Sequence, residues 1–261
     1  MSLHYVFKEQ SQDQTHVQHS PVVLLHGLFG SLENLNAIFK SLQPCCDVIA
    51  IDLPNHGRSK HVDTVSYVQM SEAVSELMAE LGIDKFSIVG HSMGGKVAMQ
   101  LALSKPQCID KLVIADIAPV AYTPKHNEVL EALKALDLSS VNNRKAADIL
   151  LQPVIPELGV RNFILKSLIK TDNNMAWRFN LQGIIDNYAN LNLAPISDGA
   201  YPGPALFIKG ENSDYIEAQH RPAIVRLFPN SKAHVIGNAG HWLHAEKPEQ
   251  FNRIVHRFLF G

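Results

Sequence analysis

The chain has 261 residues, 46% hydrophobic and 18% charged, a globular balance that excludes a disordered or fibrous protein. Lys and Arg number 23 against 25 Asp and Glu, a formal charge of -2, so the electrostatic footprint of a nucleic-acid or anionic-membrane binder is missing. The longest apolar runs are four or five residues, far short of the roughly 20 that a bilayer requires.

Residues 1–8 lack a basic stretch followed by an apolar core, which argues against secretion. The first strand expected is Val22–Leu25, followed by Leu35, Ile38, Phe39 and Leu42 on one face of a helix. Cys45 and Cys46 form a doublet with no ligand-spaced companions and read as packing. The three cysteines (the third is Cys108) cannot close a disulfide framework, and a reducing cytoplasm is the expected location. A second strand is expected at Val48–Ile51. A helix follows through Ala73, Val74, Leu77, Met78 and Leu81, with Gly82 as its carboxyl cap. Further strands are expected at 86–89, 112–115, 205–208 and 233–236, all nearly continuous in apolar character, as in parallel strands covered on both faces. Phe251, Ile254, Val255, Phe258 and Leu259 mark a last helix begun near Pro248.

Between about 120 and 201 no strand is expected. Leu130, Leu133 and Leu136 have helical spacing, as do Ile149 with Val154, Phe163 to Leu165 with Leu168, and Leu181 with Ile184 and Ile185. A structureless loop of that length is improbable in a compact domain. The fold expected is therefore α/β, a mostly parallel sheet flanked by helices. Residues 1–119 and 202–261 would form its core, and 120–201 a helical cap.

The string Val89-Gly90-His91-Ser92-Met93-Gly94-Gly95 fits G-x-S-x-G, follows an expected strand and opens an apolar helical segment. A serine on so sharp a turn is pushed out above the sheet, and glycines are required where strand and helix pass close together. Serine needs a base. Of 13 histidines, His241 is favoured, because Gly237-Asn238-Ala239-Gly240-His241 follows the last strand and sits at the same sheet edge. His244 is its rival, though its position suits helix capping; His234 and His256 read as structural or solvated. Two carboxylates qualify to orient the imidazole: Asp116, ending the strand at 112–115, and Asp214, just beyond the strand at 205–208. Both keep the chain order serine, acid, histidine, and the residues alone leave them level; Asp52 is weaker because it precedes the serine. Backbone N–H donors for an oxyanion would come from Met93 and from the loop His26-Gly27-Leu28, at Leu28; His26 itself reads as structural.

His26-Gly27, Gly90-His91-Ser92-Met93-Gly94-Gly95 and Gly240-His241 together resemble the α/β-hydrolase superfamily nearly end to end. More closely, the chain is similar to the YbfF-like bacterial esterases. The stretches that carry this include Leu25-His26-Gly27-Leu28-Phe29-Gly30-Ser31, Asn55-His56-Gly57, Asp116-Ile117-Ala118-Pro119-Val120 and Trp177-Arg178-Phe179-Asn180. The resemblance implies a Ser-His-Asp esterase with a helical cap and neither metal nor cofactor. It also implies a small-molecule carboxylic ester or acyl-CoA thioester as substrate and tips the acid toward Asp116. It puts the pocket between core and cap, where His126 and Ser213 would supply polar contacts. Lys96 and Arg178 read as candidates for an anionic group, against a solvated helix face for Lys96 and a partner within the cap for Arg178. Carbon–carbon bond hydrolysis or perhydrolysis on the same triad, and a non-catalytic ligand-binding protein of the same fold, are the alternatives.

Overall fold

The computed structural model describes residues 2–10, 19–172 and 174–261; Met1, the first residue of the expected core, lies outside them, as do 11–18 and Asn173. Seven strands form one sheet: β1 (Tyr5–Lys8), β2 (Val22–Leu25), β3 (Val48–Ile51), β4 (Phe86–His91), β5 (Ile109–Ala115), β8 (Ala205–Gly210) and β9 (Ser231–Ile236). Their order is β1-β3-β2-β4-β5-β8-β9, parallel throughout except for the antiparallel pair β1·β3. All six expected strands are present. β1 is an addition to the expected strands: its four residues are exposed or half-buried at one end of the sheet, so no apolar run announces it. β9 departs from the doubly covered strand expected, since residues 232–235 are exposed at the opposite end.

Alternate side chains of the central strands feed two apolar layers. Val23 and Leu25 join the larger, and Val22 and Leu24 the smaller. Helix α1 (Asn36–Leu42) and helix α11 (Pro248–Phe260) cover the smaller layer. Helix α2 (Tyr67–Glu80) and helix α3 (Met93–Ser104) cover the larger. Pro248 opens α11, where its missing N–H costs nothing. Gly82 follows α2 at φ +70°, the left-handed conformation by which glycine ends helices.

Between β5 and β8 lie helices α4 (Asn127–Ala135), α5 (Arg144–Leu151), α6 (Leu158–Leu165), α7 (Leu181–Asp186) and α8 (Tyr188–Leu191), and α9 (Arg221–Leu227) connects β8 to β9. A two-stranded antiparallel hairpin, β6 (Leu168–Lys170) with β7 (Met175–Trp177), interrupts the β5–β8 segment and corrects the expectation of a strand-free stretch. Three residues per strand are too few to register an alternating pattern. Leu168 accordingly stands on β6 rather than continuing the helix of Phe163 to Leu165, and Val154 lies exposed in the turn after α5. Polar ties bind this segment to loops of the core: Ser167 Oγ donates to the Phe29 carbonyl at 2.7 Å, and Val65 N to Asn187 Oδ1 at 2.9 Å. Arg178 pairs with Glu33 at 2.6 Å, reaching out of the segment rather than within it. Among the described residues no helix is long and apolar enough to cross a membrane.

Candidate active site

Ser92 occupies the single residue between β4 and α3, at φ 53° and ψ −117°. That conformation is strained for a residue with a Cβ, at a cost on the order of 1–3 kcal/mol. Two glycines permit the turn. A Cβ on Gly90 would lie 2.3 Å from the Gly94 carbonyl oxygen, and one on Gly94 2.4 Å from that of Leu25. Both obstacles are backbone and cannot swing aside.

The serine hydroxyl lies 2.9 Å from His241 Nε2, and His241 Nδ1 lies 2.7 Å from Asp116 Oδ2. Asp116 is 0% exposed at the carboxyl end of β5, which pairs directly with β4. Its carboxylate also accepts from Gly210 N at 3.0 Å and from the Ser213 hydroxyl. A carboxylate only accepts, so Nδ1 donates to it and Nε2 is left to accept from Ser92. The arrangement can draw a proton from the hydroxyl and stabilise the imidazolium that results.

Neighbours hold the imidazole from several sides. Tyr215 stacks on it with ring centroids 3.9 Å apart and 23° between planes. His91, on the serine turn itself, donates from Nε2 to the His241 carbonyl at 2.8 Å. The same loop is pinned where Gly240 N donates to Glu246 Oε2 at 2.7 Å. Nothing in the sequence marked His91 or Tyr215 for this, because both act through contacts made only on folding.

Asp214 is not brought to the imidazole. Its carboxylate is 68% exposed and pairs with Lys125 at 2.6 Å, which holds it below the usual carboxylate range. Ser213, expected at the pocket, instead points its hydroxyl at Asp116 and accepts from Tyr215 N at 3.3 Å. His126 does face the cavity beside Ser92; its Nδ1 meets the Tyr188 hydroxyl at 2.9 Å and its Nε2 the Tyr215 hydroxyl at 3.3 Å. Burial pulls its pKa down to about 4, so it is neutral near pH 7. Met93 opens α3, where backbone N–H groups have no partner within the helix. Leu28 lies on the loop after β2, fixed on either side. Gly30 N donates to the Gly27 carbonyl at 3.0 Å, and Phe29 N to His56 Nε2 at 3.2 Å.

Three further expectations resolve as structural features. Lys96 is 1% exposed, not solvated, and donates to the Leu193 carbonyl at 2.5 Å, with the Tyr122 ring 4.8 Å away. Burial lowers its pKa to about 7. His244 caps no helix; it lies inside α10 (Leu243–Glu246) with its ring 4.3 Å from that of His91. His26 is structural, accepting from Leu53 N at 3.0 Å and donating to the Gly27 carbonyl at 2.8 Å.

His26, His56, His91 and His244 form a buried, neutral group around the serine turn. Desolvation lowers His26 to about 4, His56 and His244 to about 3, and His91 well below 6.5. The unfolded chain therefore takes up their protons first. Stability from these groups is complete above pH 6.5 and falls as pH drops toward the folded values, by about 1.4 kcal/mol per group per pH unit. Against a domain stability of about 5–15 kcal/mol, the melting temperature is expected to hold from pH 8 to 7 and drop steeply below 6. A melting curve unchanged at pH 4.5 would show that these rings can accept protons in place.

Ser92 opens onto a cavity of about 360 Å³ between the sheet edge and the α4–α6 region, its walls including Phe29, Val129, Ile155, Val160, Phe163 and Trp242. A smaller cavity of about 40 Å³ adjoins it on the Met93 side. A groove of about 590 Å³ between α11 and the β8–β9 edge contains none of the residues around Ser92. Among the described residues no cluster of three or more His, Cys, Asp or Glu side chains is placed to hold a metal ion.

Residues 20–248 match the family described as having the alpha/beta hydrolase fold. The chain belongs to the α/β-hydrolase family. It is 39% identical over 247 residues to the Escherichia coli (strain K12) esterase YbfF, covering 94% of this chain and 95% of that one. It is 38% identical over 246 residues to the Mus musculus sn-1-specific diacylglycerol lipase ABHD11, covering 91% and 80%. A solved structure described as a marine microorganism esterase superposes with a TM-score of 0.92 at 37% identity, over 98% of this chain and 99% of the other. The company is that of the esterases and lipases of the superfamily.

Proposed function

We propose that this α/β-hydrolase is a serine esterase that cleaves carboxylic esters, or thioesters such as acyl-CoA, through an acyl-enzyme. Ser92 Oγ bonds to the carbonyl carbon as its proton passes to His241 Nε2. Asp116 holds the imidazole in the required tautomer, and the Met93 and Leu28 amides receive the oxyanion. The bond to the alcohol or thiol then breaks, and that group leaves with the proton from Nε2. Water adds to the acyl-enzyme, giving its proton to Nε2; Ser92 Oγ recovers the proton as the acid departs. In this reading 1–119 with 202–261 is the catalytic core, and 120–201 is a cap that walls the pocket. The chain acts in the cytoplasm with no cofactor.

The observation that carries this reading is the continuous hydroxyl–imidazole–carboxylate line, with steps of 2.9 and 2.7 Å, ending at the mouth of a cavity. A ligand-binding protein needs no such line. A fluorophosphonate probe tests it: stoichiometric adduct on Ser92, much slower in His241→Ala, is expected, and an unlabelled native protein would exclude the serine mechanism.

A further inference from the structure

Ser92 stands where two unequal cavities meet, and the base borders only one of them. The larger, of about 360 Å³, is lined by His241. The smaller, of about 40 Å³, is lined by Met93, Ile117 and Lys96, while His241 is not among its walls. Leu28 borders both. This difference fixes the direction in which an ester must lie, provided the serine-esterase reading above holds. In the tetrahedral intermediate the carbonyl carbon carries the oxyanion, the acyl chain and the leaving oxygen. The oxyanion faces the amides of Leu28 and Met93. The leaving oxygen must take its proton from His241 Nε2, so it lies on the His241 side. The acyl chain is left with the Met93 side.

We infer that the enzyme is selective for short acyl groups carried on large apolar alcohols, with the acyl chain in the small cavity and the alcohol in the large one. A space of 40 Å³ holds about three water-sized groups, which is a chain of one to three carbons beyond the carbonyl. Its walls are firm. Lys96 is fixed by its bond to the Leu193 carbonyl, and the Tyr122 hydroxyl accepts from Ala118 N at 2.9 Å. The large cavity has the size of a small-molecule site, with apolar walls at Phe29, Val129, Ile155 and Trp242. Its charged lining is Glu128, Glu157 and Lys125, the last already paired with Asp214. Two carboxylates beside one neutralised cation repel phosphates, so a coenzyme A leaving group fits this side poorly and a neutral alcohol fits it well.

Octyl acetate and ethyl octanoate are isomers that differ only in which side of the ester is long. Wild-type kcat/KM is expected to be at least tenfold higher for octyl acetate, since a single methylene in a closed pocket is worth about 10–200-fold. Acetyl-CoA is expected to be a poorer substrate than octyl acetate, and p-nitrophenyl esters should lose rate sharply beyond about four acyl carbons. Equal rates on the isomers, or a preference for ethyl octanoate, would overturn the orientation and leave the esterase reading intact. Failure on both isomers together with no fluorophosphonate adduct would overturn the esterase reading, and the orientation with it.

Discussion

Replacing Ser92 by alanine is expected to lower kcat by about 10⁶-fold, with His241→Ala close behind and the double variant scarcely worse than either. Such non-additivity follows from the geometry. The hydroxyl and the imidazole are joined by one hydrogen bond of 2.9 Å, and neither can attack or accept the proton alone. A residual rate about 10³–10⁴-fold above that in water should survive, from the Leu28 and Met93 amides and the walls of the cavity. The Ser92→Ala variant should fold at least as firmly as wild type. Alanine keeps the Cβ and the strained φ of 53° but removes the hydroxyl. Kinetics on a soluble ester, with circular dichroism to show an intact fold, test this. A Ser92→Ala enzyme within tenfold of wild type would remove the nucleophile from the proposal.

How much of this arrangement the residues announce depends on what kind of constraint shaped them. The serine turn is legible because steric demands are written into sequence. A Cβ on Gly90 or Gly94 would fall 2.3 or 2.4 Å from a backbone oxygen, which no larger residue can accommodate. The central strands are legible because burial on both faces requires unbroken apolar runs, as in Val22–Leu25. Strand β1 escapes notice because an edge strand needs no such run, and the hairpin β6–β7 because it is too short for a period. Lys96 misleads for another reason. It stands one turn beyond Ser92 and reads as solvated, yet the carbonyls after α8 close over its ammonium. No local pattern records which distant carbonyl will cover a given side chain. Ser213 is similar: its position after β8 was legible, but the direction of its hydroxyl was not.

The two carboxylates that sequence leaves level are separated by three dimensions, and their substitutions should separate further. Asp116→Asn is expected to lower kcat about 10⁴-fold. An amide presented to His241 Nδ1 favours the tautomer with Nε2–H, which cannot accept the serine proton. Asp214→Asn should leave turnover within about twofold, because it removes only an exposed pair with Lys125, worth about 0–1 kcal/mol. Neither variant should perturb the backbone. Asp116 lies at φ 54°, in the left-handed region that asparagine tolerates as readily as aspartate. Ser213→Ala falls between them: it takes one donor from the Asp116 carboxylate but leaves those of Gly210 and His241. Parallel kcat measurements on the three variants, each with its melting temperature, decide the matter. If Asp214→Asn alone abolished turnover, the acid would have to reach His241 by a rearrangement that breaks the 2.7 Å contact with Asp116, and the orienting role would pass to the exposed loop.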